Sequence, residues 1–247
     1  MNGTAWNPKK DMEVKEQVTQ ELVERFPSCC GKRVLLMTSM SFNDFKKFVS
    51  QDKIDGDSFV YSVDNLKCKD LFEEGDALEN ETKKDTFTRI WKSKIEEICN
   101  QNNIRTPQYK LLFGDIMNVS LWMQSDEPFT VVYADTCDNV TDKFFSWLFN
   151  EDTHNGVAND GVLAFTLMLN RGKEFKFPEN VKNNSAKFAF YGAEYDDMFN
   201  MEHYEQQMNG LTHLIESTHQ WEVEEMIHYC EKNRKSQMVS VICKKCK

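Results

Sequence analysis

Three aspartates stand where an apolar run stops. Asp64 follows FVYSV, Asp115 follows YKLLFG, and Asp135 follows FTVVYA, after which Thr136-Cys137-Asp138-Asn139 form a small polar cluster. A carboxylate so placed accepts hydrogen bonds from hydroxyl or amino donors with charge-assisted strength. It can also take a proton from a nucleophile. Aspartate equally starts turns and caps helices, so one such acid alone says little. Their recurrence says more. A buried strand that delivers an acid at its C-terminal end, repeated along a chain, is the pattern of an open α/β sheet. Such sheets bind ligands outside the carboxyl ends of their strands.

Other reactive residue types carry less. Cys137 could be a nucleophile or a small residue packed beneath a site, and nothing in the sequence points to a lowered thiol pKa. His154, His203, His213, His219 and His228 lack metal-ligand spacing, and no G-x-S-x-G turn supports a hydrolytic triad. Cys243 and Cys246 have the spacing of half a zinc site, but no second pair faces them. They read as two frayed terminal thiols.

The 247 residues suit one large domain, and 40% hydrophobic with 28% charged content is that of a globular protein. Eighteen Phe and five Trp supply bulk for a core, so the eight cysteines need not act as staples. No apolar run approaches the ~18 residues that span a bilayer, and the polar N-terminus has no secretory h-region. A cytoplasmic or nuclear protein, not secreted, is expected. A net charge of −10 gives no general attraction to nucleic acid. One stretch departs from it. Arg171, Lys173, Lys176, Lys182 and Lys187 face only Glu174 and Glu179, a local basic excess that is either a solvated face or a binding lip.

Hydrophobic spacing places the elements around these residues. Residues 11–26 read as a helix with Val14, Val18, Leu22 and Phe26 on one face. Strands are expected at 33–38, 59–63, 109–113, 129–134 and 161–169. Helices are expected at 41–50, from Phe87 to about Asn102, at 141–150 and at 201–218, with 70–85 as a loop. Alternating strands and helices predict a mostly parallel sheet covered on both faces. Two last strands, 223–229 and 238–243, are joined by too few residues for a crossover helix and must form an antiparallel hairpin. Residues 1–30 read as a helical extension and 31–247 as the α/β domain.

This ordered set resembles the class I S-adenosylmethionine-dependent methyltransferases, a Rossmann-like family whose sheet is parallel except for a reversed final strand. The resemblance runs over about 31–243 and rests on order and shape. It implies that Asp64 in YSVDN holds the ribose hydroxyls of S-adenosylmethionine. Asp115 in LLFGDIMN, with its neighbour Ile116, is similar to the segment at the adenine end. Asp135 in VVYADTCDN, with Thr136, looks like the acid beside the methionine moiety and the target, where it would be catalytic. DGVLAFTLMLNRG is similar to the family's fifth strand, opened by a turn glycine.

One motif departs from the family. Its first strand runs into a glycine-rich turn, where absent side chains let the backbone approach the cofactor; here RVLLMTSMSFND has no glycine. Thr38 and Ser39 would have to serve the methionine end through backbone N–H groups. The same departure leaves open a catalytically inactive, methyltransferase-like binding or accessory protein. The polar cluster after Asp135 lacks the proline-aromatic sequence of amino-methylating enzymes. For the acceptor, the basic residues after the fifth strand favour nucleic acid, RNA first, with Arg171, Lys173 and Lys176 on its phosphates.

Overall fold

The computed structural model describes residues 8–37, 42–66, 78, 80–139, 142–169, 208, 211–230 and 237–246. Among them seven strands form one sheet: β1 (Arg33–Leu36), β2 (Phe59–Asp64), β3 (Gln108–Phe113), β4 (Phe129–Asn139), β5 (Val157–Leu169), β6 (Trp221–Cys230) and β7 (Gln237–Lys245). Their order across the sheet is β3-β2-β1-β4-β5-β7-β6. The first five run parallel. β7 lies antiparallel to both β5 and β6, so the final strand is reversed as the resemblance implied. β1, β2 and the first half of β4 are apolar on both faces because helices cover both sides.

Side-chain alternation sorts the core into two layers. On one face α1 (Pro8–Arg25), α2 (Asn43–Ser50) and α3 (Lys83–Gln101) pack Leu22, Phe45, Trp91 and Ile95 over Val34, Val60, Val131 and Tyr133. α1 thus shares the core of the sheet. On the other face the 3₁₀ turn Val119–Gln124, α4 (Asp142–Leu148), α5 (Glu151–Gly156) and the helical residues 211–216 pack Trp122, Phe144, Trp147 and Leu214 over Leu35, Val63, Val132 and Phe165. No helix among the described residues is long and apolar enough to cross a membrane.

Several boundaries differ from expectation, each for a local reason. α3 begins at Lys83, inside the stretch read as a loop, because Thr82 and Asp85 form a reciprocal capping box. The helix expected at 141–150 is α4, and beyond it Asn150 accepts the Asp152 N–H and starts a further helix, α5, that was not foreseen. The 3₁₀ turn Val119–Gln124 was not foreseen; Asn118 caps it. β4 runs on through Asn139, since Asp138 and Asn139 pair with Leu167 and Met168 of β5. Those two residues are therefore strand, beyond the end expected at 134. Gly161 opens no turn. It lies inside β5, at a bulge where Phe129 pairs with Val157 and Val131 already with Val162. Cys243 is not frayed either: it is buried within β7, where burial pushes its thiol well above the ordinary range.

Candidate functional site

The C-terminal ends of β1 to β4 share one edge of the sheet, and the strand order reverses between β1 and β4. Such a reversal opens a crevice above the sheet. Asp64, Asp115 and Asp135 all stand on this edge, at or just beyond the ends of β2 and β3 and within the extended β4. β2 and β4 flank β1, so Asp64 and Asp135 are two strand spacings apart, ~10 Å. β1 reaches the edge at Met37, whose N–H donates to the Tyr133 carbonyl at 3.3 Å. Thr38 and Ser39 follow directly and lie outside the described residues, as do Arg171, Lys173 and Lys176.

Asp64 ends β2 on the face covered by α2 and α3, two residues beyond the fully buried Ser62. Leu66, turned into the left-handed region (φ 53), donates its N–H to Asp64 Oδ1 at 2.6 Å. Among the described residues that is the one hydrogen bond to this carboxylate. Burial pushes the Asp64 carboxyl above its ordinary range, against the pull of the Leu66 N–H and the charge of Lys83. Lys83, in the first turn of α3, donates from its ammonium to the Leu66 carbonyl at 2.5 Å.

Asp115 is held from two sides. Its Oδ1 accepts the Met117 N–H at 2.9 Å, and Oδ2 is paired with Lys143 Nζ from the first turn of α4. Ile116, beside it, is 2% exposed and belongs to the core. Its carbonyl accepts Trp122 Nε1 at 2.8 Å, which ties the edge to the 3₁₀ turn below.

Asp135 sits where β4 slips out of register with β5, between Ala134 and Asp138. Alternation puts it on the same face as Tyr133. Burial, then the charges of Asp135 and Asp44, hold the Tyr133 phenol well above its usual range. Asp44, buried in the first turn of α2, is thus a second carboxylate whose charge reaches the Tyr133 phenol. A negative charge there also meets the positive end of the helix. Thr136 donates its hydroxyl to the Thr166 carbonyl of β5 at 3.1 Å, bridging the irregular register. In place of a glycine turn, α2 is entered through Phe42, whose left-handed φ of 55 is unusual for a bulky residue. Burial of its ring beside Trp91, 6.2 Å between centroids, holds it there.

Sequence reasoning missed Lys143 and Asp44. The signal for Lys143 was a cation in the first turn of a helix, where the dipole disfavours it unless an anion is near. Asp44 left no signal beyond its place at a helix start, which exposed aspartates share.

No protein-family model matches the chain, and no curated protein matches it. Solved structures similar to it include Trm5b from Pyrococcus abyssi, at 10% identity and a TM-score of 0.46, over 94% of this chain and 48% of that one. M. jannaschii TYW2 in complex with AdoMet is similar at 8% identity and TM-score 0.45, over 98% and 78% of the two chains. M. capricolum TrmK in complex with S-adenosyl-homocysteine is similar at 8% and 0.47, over 92% and 67%. The chain spans about half the length of Trm5b. Five parallel strands, a reversed β7 and helices on both faces make a Rossmann-like, mostly parallel sheet with an antiparallel C-terminal hairpin, the architecture that the resemblance implied.

Proposed function

We propose that the chain binds S-adenosylmethionine along the crest of β1 to β4 and acts as a methyltransferase on nucleic acid, RNA in the first place. The observation that carries this reading is Asp64. A half-buried carboxylate bonded by one backbone N–H among the described residues has acceptor capacity for two vicinal hydroxyls. The charge of the edge fits as well. Asp64 and Asp135 suit a ligand bearing a cation, and they oppose the pyrophosphate of a dinucleotide, for which the sequence offers no glycine-rich cradle.

In this reading Asp64 holds the ribose, Asp115 and Ile116 flank the adenine end, and Thr38 and Ser39 serve the methionine end through backbone N–H groups. Bound there, the cofactor supplies an electrophilic methyl group on a sulfonium. Asp135 orients the reacting centre or takes the proton of the attacking nucleophile, and Thr136 fixes the backbone that carries it. Arg171, Lys173 and Lys176 form a positive lip for acceptor phosphates. A cytoplasmic or nuclear setting accords with such an acceptor.

Titration calorimetry with S-adenosylmethionine and S-adenosylhomocysteine tests the reading. Both ligands should bind, and Asp64→Ala should weaken each by ~1.5–3 kcal/mol, the range for a hydrogen bond to a charged group. Equal affinity in a folded variant would reject the ribose role. The second reading is a methyltransferase-like protein that binds a partner without catalysis. Phe42 favours it, since an aromatic residue stands at the entry to α2, after a sequence without glycine. Wild-type protein that binds neither ligand would establish it over the first.

A further inference from the structure

Asp115 and Lys143 follow β3 and β4, which stand three places apart in the sheet, ~14 Å at the usual strand spacing. Their side chains nevertheless meet in an ion pair. The pair is exposed, Lys143 by 65% and Asp115 by 42%, and pairs in that setting contribute little to folding. Its geometric effect is larger. The Met117 N–H of the same loop on Oδ1 and Lys143 Nζ from α4 on Oδ2 hold the carboxylate at both oxygens, which fixes the plane of the group and its direction along the edge.

Resting on the cofactor reading above, we infer that Lys143 is a positioning residue for base recognition: it holds Asp115 as an oriented acceptor for the exocyclic amino group of a 6-aminopurine. A carboxylate has about four lone-pair sites, so donors already on both oxygens are compatible with a ligand amino group as well. A 6-oxo purine presents an acceptor at that position, and two acceptors repel. Held in place, Asp115 discriminates between the two bases. Released, it turns with its side chain and discriminates less, because rigid support is what makes a recognition group selective.

The test is calorimetric binding of S-adenosylhomocysteine and of its deaminated analogue S-inosylhomocysteine to wild type, Lys143→Met and Lys143→Arg, with thermal midpoints alongside. Wild type should prefer the adenosyl ligand. Lys143→Met should narrow that preference about tenfold, the size of one charge-assisted hydrogen bond, at an unchanged midpoint, and Lys143→Arg should restore it. An unchanged preference in Lys143→Met, whether or not the midpoint falls, overturns the inference alone. Wild type that binds neither ligand overturns it together with the cofactor reading.

Discussion

Ionisation of Asp64 is disfavoured in the folded protein. Burial raises its pKa in the folded protein, while the Leu66 N–H and Lys83 recover part of the cost of ionisation. The sign of the consequence follows from linkage. A raised folded pKa gives stability that is present below the unfolded pKa and lost as pH rises through the folded one. Ionised Asp64 therefore costs stability at pH 7, and Asp64→Asn should raise the thermal midpoint there, with the gain gone in acid below the ordinary aspartate range. Ligand hydroxyls stabilise the charged form, so binding should move the other way. Affinity for S-adenosylhomocysteine should fall as pH drops through the raised Asp64 pKa, with a limiting slope of about tenfold per pH unit for one proton. An affinity flat across that window would remove Asp64 from the site. Asp115 differs, since Lys143 already compensates its charge.

At the scale of elements, the junction of β4 and β5 decides where Asp135 stands. Two irregularities flank the regular pairing of Val131–Ala134 with Val162–Phe165, one at its start and one at its end. Gly161 makes the first possible. A Cβ at this position would lie 2.8 Å from the Thr130 carbonyl, 3.0 Å from that of Phe129 and 3.1 Å from that of Ala158. All three are backbone atoms of paired strands and cannot swing aside as a side chain could. Gly161→Ala should destabilise the fold by ~1–3 kcal/mol, the usual cost of overpacking, lowering the midpoint by about 2–4 °C per kcal/mol in a chain of this size. Urea unfolding with wild-type stability would show that the bulge relaxes freely. The second irregularity throws Asp135 to Cys137 out of register with β5, and the Thr136 hydroxyl on Thr166 closes that gap.

For the whole molecule, the charge of −10 sets the terms on which a polyanion approaches. Its general field repels nucleic acid, so binding must come through a local patch and must depend strongly on salt. The proposed lip of Arg171, Lys173 and Lys176 follows in sequence on β5, whose end at Leu169 lies on the same edge as those of β1 to β4. Removing one cation from a bound phosphate should flatten the slope of log affinity against log salt by ~0.7–0.9, because fewer counterions are then released. RNA and duplex DNA binding at several salt concentrations, wild type against the triple alanine variant, measures this. Absence of binding at low salt would leave a small-molecule or protein acceptor, and an unchanged slope would place the nucleic acid on another face.

The strands were legible in the sequence because a strand buried on both faces must be apolar throughout, and RVLL, FVYSV and GVLAFTLML admit little else. The antiparallel hairpin was equally determined, since the short link between β6 and β7 cannot cross the sheet. Asp64, Asp115 and Asp135 could be placed at one edge for the same reason: parallel strands end on the same side. What the chain does not carry locally is who sits beside whom. The order β3-β2-β1-β4-β5-β7-β6 arises from pairings between distant segments, and with it come the meeting of Asp115 with Lys143 and the joint action of Asp44 and Asp135 on Tyr133. The length of β4 was hidden too. Thr136 to Asn139 are polar and lie beyond the strand end expected at 134, yet β5 offers Asp138 and Asn139 backbone partners that outweigh local preference. Residue types assigned the chemistry to an edge; only the packed sheet decided which of its acids are paired, buried or held.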